Sequence, residues 1–315
     1  MRIAVLDDYL KVAQGLANWG TLKAEITFFN EFIQPEKLAA TLAPFDVVVA
    51  MRERSAFPAS VIEALPNLKL LVTTGLRNNS IDLDACRKAG VVVSGSPGDP
   101  LSTGATAELS WALLLALFKK IPQEDANMRK GLWQTSMPPT IKGKRLGLLG
   151  VGNLGQQVGR VGTAFGMEVV AWSPNLNAER AAEAGVKLVN KEELFKTSDA
   201  ISIHLVLSDR TRKIVDAASI QSMKSTAYLV NTSRAGLVDL AALKQALEQG
   251  KIGGAGLDVY ESEPVLANDP WRQVPRTVLT PHLGYATPEN FAVFYKNVVA
   301  NIEAFAAGTP TRVLT

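Results

Sequence analysis

The 315-residue chain is poor in the residues that metal and redox chemistry draw on: it has two histidines, His204 and His282, and one cysteine, Cys86. A His/Cys metal cluster or a disulfide framework cannot be assembled from so few ligands, so no metal site is expected. Charge of one sign is also scarce, with 33 Lys and Arg against 30 Asp and Glu. A net +3 over this length is no electrostatic footprint for nucleic acid. The longest apolar run, Trp111 to Phe118, is about a third of a bilayer span, so no membrane partner is expected. Met1-Arg-Ile-Ala-Val-Leu reads as a strand that starts at once rather than as a signal peptide. With a single free cysteine, a cytoplasmic location is the expectation.

Against these shortages stands an apolar content of 47%, enough to bury a full core, in a length that suits two domains of ~100–200 residues each. Short apolar runs alternate with helix-period segments. In the first third, strands are expected at Ile3–Leu6, Val47–Ala50, Leu70–Val72 and Val91–Val93, with helices near Pro35–Leu42, Ala59–Ala64 and Asp82–Lys88. The strands are continuous in Val, Leu and Ile, as parallel strands covered on both faces are. After the turn cluster Ser94-Gly-Ser-Pro-Gly-Asp-Pro100 come helical segments over Leu101–Lys119 and Pro122–Lys130. A second series then places strands at Leu146–Leu149, Val169–Trp172, Lys187–Val189, Ala200–His204, Tyr228–Val230, Gly254–Asp258 and Thr277–Leu279, with a last long helix from Pro288. The pattern predicts an α/β chain built on two doubly wound parallel sheets.

Gly150-Val-Gly-Asn-Leu-Gly155 is a G-x-G-x-x-G string, weak evidence alone. Here it follows an apolar run and opens a helix over Leu154–Phe165, which is the context a dinucleotide fingerprint demands. Its glycines allow a tight turn and close backbone approach to a pyrophosphate, and the helix N-terminus favours the negative charge. Gly150, Gly152, Asn153, Leu154 and Gly155 are therefore expected to bind a cofactor. The next strand ends at Ser173, where NAD binders usually carry an acidic residue to accept from the ribose 2′-hydroxyl. Ser173 does not repel a 2′-phosphate and can donate to it. NADP is favoured, with NAD as the alternative.

Three apolar runs in the second half end in ionisable groups, bringing Arg234, Glu263 and His282 to the carboxyl ends of their strands, where open α/β sheets bind ligands.

At these residues the chain resembles the D-isomer-specific 2-hydroxyacid dehydrogenase family. The resemblance takes in the glycine fingerprint, Asn231-Thr-Ser-Arg234 with Asp239, Leu257-Asp258 through Glu263-Pro264, and Pro281-His282. It extends to Ile81-Asp82, Ala107-Glu108 and Gly131-Leu-Trp133. It implies hydride transfer between NAD(P)H and a small 2-oxo acid or D-2-hydroxy acid, as in glyoxylate or hydroxypyruvate reductases. His282 would be the acid/base, Glu263 would fix and tune its ring, and Arg234 would clamp the substrate carboxylate. Thr232, Ser233, Asp258 and Gly284 would lie with the cofactor. His204 reads as structural or as a cofactor contact.

The resemblance also implies a Rossmann nucleotide-binding domain, 99–286, inserted into a discontinuous flavodoxin-like substrate domain, 1–98 with 287–315, and a homodimer. The segment Thr74-Gly-Leu-Arg-Asn-Asn-Ser80 departs from it, because family members commonly have glycine where Arg77 stands. The amides of Leu76 and Arg77 would bind the substrate carboxylate, and the Arg77 cation suggests a second acidic group on a small anionic substrate. Arg52 and Arg54 would end on the same side of the first sheet. A non-catalytic, dinucleotide-sensing binding protein of the same fold is the alternative.

Overall fold

The computed structural model describes residues 1–315. Met1–Ser102 and Ala286–Thr315 form one compact unit, and Thr103–Tyr285 form a second.

In the first unit, β1 (Arg2–Val5), β2 (Glu25–Phe28), β3 (Val47–Ala50), β4 (Leu70–Thr74) and β5 (Val92–Ser96) make a parallel sheet in the order β2-β1-β3-β4-β5. This is the doubly wound order of flavodoxin-like domains. Strands β3 and β4 are buried along their whole length, which is why they read as unbroken apolar runs. Strand β2 was not expected. It is an edge strand of sequence Glu-Ile-Thr-Phe, only half-buried, so it lacks the continuous apolar signal of its neighbours. Helix Pro288–Ala306 returns to this unit, burying Phe291, Phe294, Tyr295, Val298 and Ile302.

The second unit carries β6 (Arg145–Leu149), β7 (Glu168–Trp172), β8 (Lys187–Leu188), β9 (Ala200–Ile203), β10 (Tyr228–Asn231), β11 (Gly254–Leu257) and β12 (Thr277–Leu279). All pair in parallel, in the order β12-β11-β10-β9-β6-β7-β8. Counted from β6, this is the Rossmann order extended by one strand, and it reverses between β6 and β9. The two sheets give the expected architecture, a Rossmann domain inserted into a flavodoxin-like one.

Helix Ala105–Lys119 is apolar enough, with the turn before it, to match a membrane span in length and composition. Its Trp111, Leu113, Leu114, Leu117 and Phe118 are buried in the core of the second unit, which accounts for that composition. The expected helix from Leu101 starts later, because Pro100–Gly104 forms a 3-10 turn first. The next helix spans Ile121–Arg129, so Trp133 lies beyond its end and is 75% exposed.

Candidate active site

Strands β10, β11 and β12 are neighbours in one register: Asn231 lies beside Leu257, and Leu257 beside Leu279. The chain leaves all three strands along this line. Arg234 follows β10 by three residues, Asp258 and Glu263 follow β11, and His282 follows β12. The topology therefore gathers four separated ionisable residues at one end of the sheet.

Nδ1 of His282 lies 2.6 Å from Oε2 of Glu263. The other carboxylate oxygen, Oε1, accepts from the Tyr260 backbone N–H at 2.8 Å, so the carboxylate is held at both oxygens. Both side chains are about a quarter exposed, enough to reach a ligand and too little for full solvation. With Nδ1 engaged, Nε2 is the ring atom left for proton exchange. Tyr285 stands edge-on to the imidazole, the ring centroids 5.6 Å apart.

His282 itself has φ 55, left-handed backbone that a non-glycine residue adopts only when its surroundings hold it there. Asp258 does the holding. Its Oδ1 accepts from Leu283 N–H at 2.7 Å and from the Thr280 hydroxyl at 2.6 Å, and its Oδ2 accepts from Gly284 N–H at 3.0 Å. Burial raises the Asp258 carboxyl above the usual carboxylate range, and these hydrogen bonds oppose the shift. Thr280, Tyr260 and Tyr285 were not singled out from the sequence. Only Thr280, just past an apolar strand and two residues before His282, carried a local signal.

Arg234 is half-buried, with Nη1 donating to the Ser233 carbonyl at 2.8 Å and its own carbonyl accepting from Asn231 Nδ2 at 2.9 Å. Thr232 is buried with its hydroxyl 2.8 Å from that of Ser110. The Ser233 hydroxyl donates to the Ile203 carbonyl at 2.8 Å, tying β10 to β9. Asp239 caps helix Leu240–Glu248 by accepting from Ala242 N–H. It belongs to the scaffold.

The glycine loop lies between β6 and helix Asn153–Ala164. Gly150 has φ 97, and a Cβ there would come 2.8 Å from the His204 carbonyl oxygen. A Cβ at Gly155 would collide with the Gly150 carbonyl oxygen, whereas Gly152 faces open space. No side chain caps this helix, and Asn153 beside the cap is exposed. The first-turn amides are thus left for an anion. A dinucleotide pyrophosphate fits this cradle. Leu154, by contrast, packs against the hydrophobic core.

A pocket of about 290 Å³ opens beside the loop, lined among others by Gly150, Gly152, Ser173, Asn175, Arg180 and Arg210. Arg210 Nη2 donates to Asn175 Oδ1 at 3.3 Å, and Arg180 Nη1 to the Asn175 carbonyl at 3.5 Å. Arg210, 35 residues from its partner, had no sequence signal. His204 also lines this pocket, its ring Nε2 2.9 Å from the Ser202 hydroxyl and its Nδ1 buried without a hydrogen bond. Burial pushes this imidazole down to about 4, so it is neutral at pH 7. Leu76 and Arg77 lie in the first unit, exposed, just past β4.

Residues 111–284 match the model of the D-isomer specific 2-hydroxyacid dehydrogenase NAD binding domain. The chain is 34% identical over 279 residues to a D-3-phosphoglycerate dehydrogenase of Archaeoglobus fulgidus, covering 88% of itself but spanning only 52% of that relative's length. It is 35% identical to a hydroxypyruvate reductase of Thermotoga maritima, covering 85% of itself and 87% of the relative. A solved phosphoglycerate oxidoreductase from Vibrio cholerae superposes with a TM-score of 0.91 at 35% identity, over 98% of this chain and 99% of that one. With a family model matched over more than half its length, and relatives of this identity and coverage, the chain belongs to the D-isomer-specific 2-hydroxyacid dehydrogenase family.

Proposed function

We propose that the protein is an NAD(P)H-dependent reductase of small 2-oxo acids, acting in reverse on D-2-hydroxy acids, in the manner of glyoxylate or hydroxypyruvate reductases. The observation that carries this reading is the 2.6 Å pair of His282 Nδ1 and Glu263 Oε2. It stands at the carboxyl end of the same sheet that presents Arg234 and the glycine cradle. A reduced nicotinamide, when bound, supplies the hydride.

The protein's own groups do the rest. His282, protonated at Nε2, gives its proton to the carbonyl oxygen as negative charge develops there, and takes it back in the oxidative direction. Glu263 fixes the ring and stabilises its charged form. Arg234 binds the substrate carboxylate with a planar fork that a lysine could not match. In the first unit, Leu76 and Arg77 are proposed to bind substrate through their backbone N–H groups.

NADP is the proposed dinucleotide. Ser173 puts no carboxylate in the pocket, and Arg180 and Arg210 bring two cations to the same Asn175. Gly150, Gly152, Asn153 and Gly155 would hold the pyrophosphate. Thr232, Ser233, Asp258 and Gly284 would flank the nicotinamide, chiefly by shaping the backbone around it. The proposed domain plan keeps 99–286 as the nucleotide domain inserted into a substrate domain of 1–98 and 287–315. A cytoplasmic homodimer is the proposed form. Ile121, Met128, Leu132, Trp133 and Met137 are each exposed, and are proposed to meet a second copy.

The test is oxidation of NADPH and of NADH against a panel of 2-oxo acids. Turnover with at least one acid, faster with NADPH, is the expected result. Tight dinucleotide binding with no turnover on any acid would favour a dinucleotide-sensing protein instead.

A further inference from the structure

Asn301 is fully buried on helix Pro288–Ala306, in one stripe with the buried Phe294 and Val298. A buried amide is costly unless its hydrogen-bonding capacity is used. Here all of it is used. Nδ2 donates to the Gly95 carbonyl at 3.0 Å and to the Ser96 hydroxyl at 3.1 Å. Oδ1 accepts from the Thr311 hydroxyl at 3.1 Å and from Arg312 Nε at 2.9 Å. One side chain thus ties the end of β5 to the helix and to the segment that follows the helix.

That segment covers the edge of the sheet. Gly95 N–H donates to the Arg312 carbonyl at 3.0 Å and Leu314 N–H to the Val93 carbonyl at 2.8 Å, with an antiparallel bridge between Ser94 and Val313. Two more asparagines of the helix hold the chain just beyond β5. Asn297 Nδ2 donates to the Pro97 carbonyl at 3.0 Å, and Asn290 Oδ1 accepts from Asp99 N–H at 2.9 Å. Every second residue from Gly95 to Asp99 is therefore pinned to the helix.

This anchored backbone in turn carries the loop after β4. Gly75 N–H donates to the Ser96 carbonyl at 2.6 Å, and Ser96 N–H donates back to the Gly75 carbonyl at 3.2 Å. A Cβ at Gly95 would stand 2.9 Å from the Gly75 carbonyl oxygen and 3.2 Å from Leu76 Cα. The loop therefore rests on bare backbone at the very residue Asn301 holds. The amides of Leu76 and Arg77 follow, on exposed residues.

We infer that Asn301 is a positioning residue for the substrate: through Gly95 and Ser96 it fixes the loop whose Leu76 and Arg77 amides bind the carboxylate common to 2-oxo acids. The inference rests on the proposed binding of that carboxylate by those amides. Such a contact is made equally in the ground state and the transition state, so its loss falls on KM rather than on kcat.

The experiment measures KM and kcat for glyoxylate and hydroxypyruvate at saturating NADPH, in the wild type and in N301D, R312A and S96A. N301D is isosteric and still accepts from Thr311 and Arg312, but sets an oxygen against the Gly95 carbonyl. It is expected to raise KM about tenfold for both acids, with kcat within about threefold and KM for NADPH unchanged. R312A and S96A each remove one partner of Asn301 and should raise KM by about two- to threefold. A residue that only supports the fold would lower the amount of active enzyme, and with it the apparent kcat, while KM stayed the same.

Hydrogen exchange at the Gly75 amide gives a readout independent of turnover. N301D should speed it about tenfold or more and leave amides of the second unit unchanged. Both changes together are expected, and either one missing in folded N301D overturns the inference. Where N301D does not fold, an unchanged KM in both R312A and S96A overturns it. No turnover by the wild type on any acid would reject the reductase reading instead, and exchange at Gly75 would then test the anchor alone.

Discussion

Glu263 holds His282 by one oxygen, 2.6 Å from Nδ1, while its other oxygen is fixed by the Tyr260 backbone N–H at 2.8 Å. The carboxylate therefore sets both the orientation of the imidazole and the nitrogen left for proton exchange. Glu263→Gln keeps the shape but loses the charge that stabilises the imidazolium. Its kcat for the best 2-oxo acid should fall about 10–100-fold with KM little changed, in steady-state assays of NADPH oxidation.

The close approach of Gly155 to the Gly150 carbonyl leaves no room for a methyl group. Gly155→Ala should push the helix start away from the loop, weakening dinucleotide binding at least tenfold. Fluorescence titration with NADPH measures this. Gly152→Ala is the contrast, since a Cβ there meets nothing within the chain and leaves the fold intact.

His204 makes stability pH-dependent with a definite sign. Its imidazole sits at about 4 in the folded chain against about 6.5 when unfolded, so between these values the unfolded state binds more protons. The stability conferred by the neutral ring is complete above about pH 6.5 and is lost as pH falls towards 4. Given the ring's partial contact with the pocket, the loss should be of the order of 2 kcal/mol. Urea unfolding at pH 7 and pH 5 should show His204→Asn to be less sensitive to acid than the wild type.

Arg180 and Arg210 are exposed and meet at Asn175. Replacing both with alanine should raise the Kd for NADPH about tenfold and leave that for NADH within a factor of two. The effect should shrink at high salt, as expected for exposed charges.

The parts of this molecule that could be read from sequence are those where one residue type serves one local need. Strands β3, β4 and β6 are buried on both faces and so carry unbroken apolar runs. Gly150 and Gly155 stand where backbone passes close to backbone. Arg234, Glu263 and His282 stand out as ionisable groups ending apolar strands. Strand β2 escaped because an edge strand need not be apolar. Thr280 and Tyr260 escaped because their value lies in partners, Asp258 and Glu263, that only the tertiary turn brings within reach. Arg210 escaped for a related reason, since it acts 35 residues from its contact.

The central claim is that His282 transfers the proton. It is tested most directly by the kcat of His282→Gln on the best 2-oxo acid, with the NADPH Kd of the same variant measured alongside. The account predicts a fall in kcat of about 10²–10⁴ with Kd unchanged. Turnover within a few-fold of the wild type would contradict it.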